Sequence, residues 1–284
     1  MWRGIRWGAI GLAAVTAGSF TYGRGRWASG TRKVRARLEA AREPIESAVF
    51  HAPELDGLPE PVQRYFQAAL KDGQPIVSAA SMEQTGHFNL GERGENWKPF
   101  TASQRVITRR PGFDWDARVA LAPGLAVHVR DAYVAGEGLL YAAPLGLFTV
   151  MDVSGQPGVA EGELMRFFAE AAWYPTALLP SQGVRWEAMD DRTARATLAD
   201  GELDLTMTFG FNDEGLIETA RAEARGRMVG DTVVPTPWEG RFGEYATRDG
   251  MRVPLYGEVA WILPEGPRPY WRGHITRVAY ELAQ

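Results

Sequence analysis

With 45% hydrophobic and 23% charged residues, this chain of 284 residues has the composition of ordinary globular protein, and a net charge of −4 gives it no basic field for nucleic acid. It contains no cysteine, which removes disulfides, thiolate catalysis and cysteine-held zinc or iron–sulfur sites. Ten tryptophans are many for one chain and call for a structural reason.

The first 27 residues stand apart. Arg3 and Arg6 precede an apolar run from Trp7 to Tyr22, and Arg24 and Arg26 close it. As a helix these sixteen residues span about 24 Å, slightly short of a ~30 Å hydrocarbon core. Trp2, Trp7, Tyr22 and Trp27 sit at its two ends, where amphipathic rings favour the membrane interface. The expectation is an uncleaved anchor in the cell (inner) membrane, single-pass, with membrane lipid as the helix's partner. A cleaved signal peptide has a similar layout, but no clean small-x-small site precedes a plausible mature start. Arg24, Arg26, Arg32, Lys33, Arg35 and Arg37 on the far side outnumber the N-terminal cations, which favours a cytoplasmic C-terminal domain.

Residues 30–48 read as a helix with Leu38, Ala41, Ile45 and Val49 on one side, a juxtamembrane helix or a solvated spacer. A second helix over 61–71 carries Val62, Tyr65, Phe66, Ala69 and Leu70 as one stripe, with Pro61 in its first turn. From Ile76 the period becomes two. Strands are predicted at 76–90, 100–109, 113–121, 125–134 and 138–152, then at 183–190, 193–199, 203–211, 215–227, 239–247, 251–263 and 270–281. Arg110-Pro111-Gly112, Pro123-Gly124, Asp200-Gly201 and Asp249-Gly250 supply turns between them. Between the two series a helix over 160–173 sets Leu164, Phe167 and Phe168 on one side and Glu163, Arg166 and Glu170 on the other. The predicted fold is mostly β (α+β): a curved antiparallel sheet or half-barrel meander with packed helices, preceded by a membrane helix. The divisions are 1–27 anchor, 28–57 helical juxtamembrane linker and 58–284 a single β-rich domain.

No motif specifies a reaction. There is no Gly-x-Ser-x-Gly elbow, no Ser-x-x-Lys and no Walker loop. The four histidines have no metal-pair spacing, and no metal or cofactor is expected. His128 and Asp131 lie three apart on one strand and point to opposite faces. Asp114 and Asp116 flank Trp115 on one strand face; an exposed face opposite a buried Trp115 is the simpler reading, a cation site or an acid–base pair the sharper one. Glu163, Arg166 and Glu170 are either solvated ion pairs or a polar anchor facing a cavity. The run Trp173-Tyr174-Pro175-Thr176-Ala177-Leu178-Leu179-Pro180 is a rigid apolar connection, either core or the lining of an apolar site.

Several runs carry a resemblance: Leu58-Pro59 with Val62-Gln63-Arg64-Tyr65, Phe113-x-Trp115-x-Ala117, Asp131-x-Tyr133-x-x-Gly136-x-Gly138, Gly162-Glu163-Leu164-x-Arg166, Glu170-x-x-Trp173 through Pro180, Pro237-Trp238 and Tyr270-Trp271-Arg272-Gly273. On these, residues 58–280 resemble an uncharacterised bacterial family of membrane-anchored proteins known only as a domain of unknown function. The resemblance implies an anchor and a single domain, and supplies no catalytic residues. More loosely, the element order is similar to lipoprotein carriers, which wrap a curved sheet around helices; that analogy implies a periplasmic domain, against the charge rule, and leaves the membrane side open.

The leading expectation is a membrane-tethered binding module for a lipid or other apolar ligand. Its cavity would fall in the usual ~300–1,000 Å³ range. Its candidate ligand-binding residues are Trp115, Tyr133, Glu163, Arg166, Glu170, Trp173, Tyr174, Leu178 and Trp186. One alternative is a scaffold recruiting an envelope or membrane protein partner. The other is an enzyme using Glu170, Glu163, Asp131 and His128 for acid–base chemistry.

Overall fold

The computed structural model describes residues 2–91, 94–156, 158–230 and 232–283, with side chains from residue 18 onward. Its elements in chain order are α1 (Trp2–Ala40), α2 (Glu60–Ala69), β1 (Val77–Asn89), β2 (Trp97–Ile107), β3 (Gly112–Ala122), β4 (Leu125–Val134), β5 (Glu137–Pro144), β6 (Met151–Asp152), α3 (Val159–Glu170), β7 (Arg185–Ala188), β8 (Thr193–Asp200), β9 (Leu203–Phe211), β10 (Ile217–Val229), β11 (Thr232–Arg248), β12 (Met251–Leu263) and β13 (Gly266–Leu282). The strands form one antiparallel sheet in the order β6-β5-β4-β3-β2-β1-β13-β12-β11-β10-β9-β8-β7. Each predicted strand series is therefore a meander. The two are joined where the first strand meets the last, Ala80 opposite Tyr280 and Thr85 opposite His274.

The sheet curls without closing, and its concave side holds α3. That helix packs on β5, β10, β4 and β9. β5 and the start of α3 come so close that a Cβ at Gly138 would lie 2.5 Å from the Ala160 nitrogen, so glycine is required there. α2 adds Tyr65 against Phe211 and Phe66 edge-on to Trp186. The segment Ala171–Gln182 follows α3 as short 3₁₀ turns whose Tyr174, Thr176, Leu178 and Leu179 are buried.

Three boundaries differ most from the sequence reading. The helix predicted over 30–48 ends at Ala40, because Pro44 pushes Glu43 out of the helical region; the Glu43 N–H instead donates to the Arg109 carbonyl at 2.7 Å. Ile45 and Val49 therefore extend no helical stripe. The strand predicted over 138–152 breaks after Pro144, where Leu145 and Gly146 turn at φ 52° and 71°, and resumes as the short β6. β11 begins at Thr232, before its predicted start, and forms a long hairpin with β10.

Among the described residues no helix is long and apolar enough to cross a membrane. Most of the predicted anchor falls on residues 1–17, whose side chains lie outside those described. Further along, α1 lies against the convex face of β2, β3 and β4 rather than in solvent. Trp27 and Leu38 are buried there. Gly23 sits where a Cβ would be 2.3 Å from the Leu145 carbonyl oxygen.

That face holds a buried ionic cluster. Asp114 is fully buried, 2.8 Å from the Arg35 Nε and 3.3 Å from the Arg130 Nε. Asp116 accepts from the Trp27 indole at 2.8 Å and from the Thr31 hydroxyl at 2.5 Å. Burial pushes the Asp114 pKa up, and the two arginines only partly oppose it. The exposed strand face expected opposite Trp115 is thus covered by a helix.

Candidate functional site

Between α3 and the concave side of β1, β3, β4, β5 and β10–β13 lies a cavity of about 540 Å³. Its walls are mostly apolar: Trp115 and Leu121 from β3, Val127 and Val129 from β4, Phe242 from β11 and Val259 from β12. Trp173, Trp238, Trp261 and Trp271 add four more indoles, which accounts for half of the chain's tryptophans when Trp115 is included. β-strand alternation places them: Trp115, Ala117 and Val119 point inward, while Asp114 and Asp116 point to α1.

One wall is polar. Arg166 forms an ion pair with Asp131, and its Nε donates to Glu170 at 2.7 Å. Glu170 also accepts from Gln104 at 2.6 Å, Gln104 from Gln84 at 2.8 Å, and Gln84 from the Trp115 indole at 2.8 Å. The Arg166 guanidinium lies 4.9 Å from the Trp115 and Phe113 ring centroids, a cation–π stack. Burial opposes the Arg166 charge, but Glu170, Asp131 and Glu163 more than offset it and raise the pKa. Across the cavity Arg225 lies 3.7 Å from Glu163 and 5.0 Å from the Trp238 ring centroid. Trp238 and Arg225 both donate to the Tyr270 hydroxyl, at 2.8 and 3.3 Å.

Glu163 differs from the other carboxyls. Burial first, and the neighbouring Asp131 carboxylate second, push its pKa well above the ordinary range. Arg166 and Arg225 lie among Asp131, Glu163 and Glu170 on this wall. Four polar atoms of lining residues are buried without a hydrogen-bond partner: Asp131 Oδ1, Glu163 Oε2 and the indole N–H groups of Trp173 and Trp271. An unpaired buried donor is destabilising by about 1–3 kcal/mol unless something supplies an oxygen.

Of the nine residues singled out from the sequence, Trp115, Glu163, Arg166, Glu170 and Trp173 line this cavity together. The other four lie elsewhere. The Tyr133 hydroxyl donates to Asp200 at 2.6 Å, and the Tyr174 hydroxyl to the Phe167 carbonyl at 2.8 Å. Leu178 is fully buried in the core, and Trp186 packs on Phe209 and Phe211 with its N–H on the Leu178 carbonyl. Their physical reason is common: they belong to the filled end of the concave channel, where side chains leave no room. His128 faces the other side of the sheet, 5.0 Å from the Trp27 ring, and burial lowers its pKa.

Sequence reasoning missed Gln84, Gln104 and Arg225. The two glutamines had a signal, since each is polar in the inward phase of its strand, after Met82 and Ala102. Arg225 had none, because a register shift between Ala222 and Arg225 turns it inward.

Chemically the site offers an apolar chamber with one wall of paired arginines and carboxyls and two indole N–H groups without acceptors. Among the described lining residues there is no Ser, Thr, Lys or His. Among the described residues no three metal-ligating side chains come together.

No curated protein matches the chain. Three solved structures are similar to it over most of both lengths. A putative outer membrane lipoprotein-sorting protein domain from Vibrio parahaemolyticus shares 8% identity over 78% of this chain and 89% of that one, with a TM-score of 0.40. A LolA superfamily protein from Nitrosomonas europaea shares 11% over 76% and 91%, with a TM-score of 0.37. A DUF1329 family protein from Desulfovibrio piger shares 12% over 73% and 88%, with a TM-score of 0.38. The model of a family of unknown function, DUF6920, matches residues 56–280, almost the span that carries the sequence motifs, and the chain belongs to that family.

Proposed function

We propose that this protein is a membrane-tethered binding module that holds a lipid or other apolar ligand in the chamber between α3 and the sheet. The observation that carries the reading is the chamber itself: about 540 Å³, walled by five indoles and aliphatic side chains, with two N–H groups that lack acceptors. A hydrocarbon body would cover the indole and valine walls. An ester or carboxyl oxygen would accept from Trp173 or Trp271 and relieve the unpaired donor. Support for the tether comes from the apolar run Trp7–Tyr22 between two pairs of arginines.

The test is native mass spectrometry and solvent extraction of the full-length chain purified in mild detergent, with uptake of a fluorescent fatty acid measured in parallel. A co-purifying amphiphile and saturable uptake are expected. Both should be lost in Val129→Trp or Ala142→Trp, which fill the chamber, while cooperative unfolding survives. A chain that carries nothing and takes up no fatty acid, with its fold intact, refutes the binding reading.

A further inference from the structure

The two ends of the sheet differ in a way that neither stability nor the chamber's interior explains. At one end lie the β1–β2, β3–β4, β5–β6, β10–β11 and β12–β13 connections, and exposed apolar side chains stand at the first four of them. Leu90, Leu125, Phe148, Met151, Met228 and Val233 are all exposed, Phe148 by 59% and Met228 by 48%. Four of these, Leu90, Met151, Met228 and Val233, also line the chamber, so they form its mouth. The opposite end carries the β2–β3, β4–β5, β9–β10 and β11–β12 turns. Arg109, Arg110, Glu137, Asp213, Glu214, Arg248 and Asp249 stand there, and the exposed large hydrophobic residues at this end are two isolated ones among those described, Met189 in the β7–β8 turn and Leu282 at the end of β13. Exposed apolar side chains gathered on one rim mark a contact surface.

The course of α1 says what that surface meets. The Ala40 end of the helix is at the polar end of the sheet, where Glu43 bonds the Arg109 carbonyl. About 22 Å along the helix, Gly23 and Arg26 touch the β5–β6 connection at the apolar end. Trp27, Thr31, Arg35 and Leu38 clamp the intervening turns to the sheet. The helix therefore has one direction relative to the domain, and the chain before Gly23 leaves past the mouth. That outgoing chain is the apolar run Trp7–Tyr22. A hinged linker would let the domain take any orientation; a clamped helix does not.

We propose that the rim of the mouth seats on a lipid bilayer, so that the chamber opens toward acyl chains rather than water. This rests on the tethered binding module proposed above and adds its geometry: one bilayer receives both the helix and the rim. Apolar side chains at four separate connections, a few at each, suit shallow insertion at the interface. The polar turns at the other end stay in solvent.

The chain has no cysteine, so a single introduced thiol can be labelled uniquely. Phe148→Cys and Leu125→Cys place an environment-sensitive fluorophore on the rim at residues outside the chamber lining, and Thr247→Cys places one at the opposite end. The full-length chain is reconstituted into phosphatidylcholine–phosphatidylglycerol vesicles containing brominated acyl chains. Loss of most of the emission at 148 and 125, with none at 247, is expected. Equal, water-like emission at all three sites overturns the proposal, as does a chain that does not stay with the vesicles. Shielding of the rim labels in vesicle-free solution that grows with protein concentration assigns the rim to a second copy and also overturns it. Fatty-acid uptake in the same samples separates the two readings. Unquenched rim labels with normal uptake remove the docking surface and leave the chamber; quenched rim labels without uptake do the reverse.

Discussion

The concave channel of this sheet has two halves built from the same materials and finished differently. In one half, α2 and the turns after α3 fill the space: Phe66, Leu178 and Leu179 are wholly buried, and the Trp186 N–H reaches the Leu178 carbonyl. In the other, α3 stands off the sheet and leaves a chamber of about 540 Å³, with the Trp173 and Trp271 N–H groups unpaired. Large aromatic residues occupy both, so amino-acid type does not distinguish them. Open space does. In the filled half packing carries the stability, and in the hollow half ion pairs and a hydrogen-bond chain hold the wall around the chamber. Unpaired polar atoms occur in both, the Tyr65 hydroxyl in the filled half and the Trp173 and Trp271 indoles in the hollow one.

The comparison breaks most sharply at Arg166. Its guanidinium pairs with Asp131 and Glu170 and stacks on Trp115 and Phe113. Arg166→Met leaves those carboxylates buried without a cation, and removal of one partner of such a pair is destabilising by about 3–5 kcal/mol. Adding Asp131→Asn should restore part of that. Leu178→Ala in the filled half should destabilise by about 2–5 kcal/mol through a new cavity. Val259→Ala, beside existing empty space, should lower stability by about 1 kcal/mol or less. Chemical denaturation of the four variants checks the contrast. Equal losses at Leu178 and Val259 would show that the chamber wall is as tightly supported as the core.

Which half is which was only partly legible in the sequence. Period-two alternation located the strands, because a pleated, half-buried strand must alternate. The helix with Glu163, Arg166 and Glu170 opposite Leu164 and Phe167 was equally visible, but its polar side read as well for solvent as for a chamber. Only the β1–β13 pairing, between residues some 200 apart, encloses that side, and local pattern does not encode so distant a pairing. The run from Trp173 to Pro180 read as one unit, yet the chain turns so that Trp173 faces the chamber while Tyr174 and Leu178 face the core. α1 shows the converse: Arg35 read as one of the cations beside the apolar run, and its partner Asp114 lies on a strand some 80 residues on.

The hollow half should also respond to pH where the filled half does not. The Glu163 pKa is raised in the folded chain, so the folded state binds its proton more tightly than the unfolded state. Its contribution is fully present below the unfolded carboxyl value, near 4.5, and is lost as pH rises through the folded value. Glu163→Gln imitates the protonated form and cannot ionise. Subtracting its unfolding free energy from the wild-type value across pH 4 to 9, at matched conditions, should give a difference that moves against wild type as pH rises. A flat difference would mean that the Glu163 carboxyl titrates alike in the folded and unfolded chain and that burial does not raise its pKa.

The smallest expected effect on stability is the most informative about the chamber. Gly257 lies in β12, where a Cβ would sit 3.3 Å from the Trp173 ring and 3.4 Å from the Trp271 ring. Its φ is not positive, so alanine fits the backbone without strain. Gly257→Ala restricts the unfolded chain, which stabilises by about 0.4–1 kcal/mol. Crowding of two indoles that border empty space opposes this weakly, because both rings have room to give. Thermal unfolding should therefore stay within a few degrees of wild type. The added methyl group nevertheless stands between the two indoles whose N–H groups lack partners. If those donors hold the ligand's oxygen, fatty-acid affinity should fall several-fold with stability unchanged. Were affinity unchanged as well, the ligand's polar end would have to lie against Arg225 and Tyr270 instead, and the unpaired indoles would mark the chamber's closed floor.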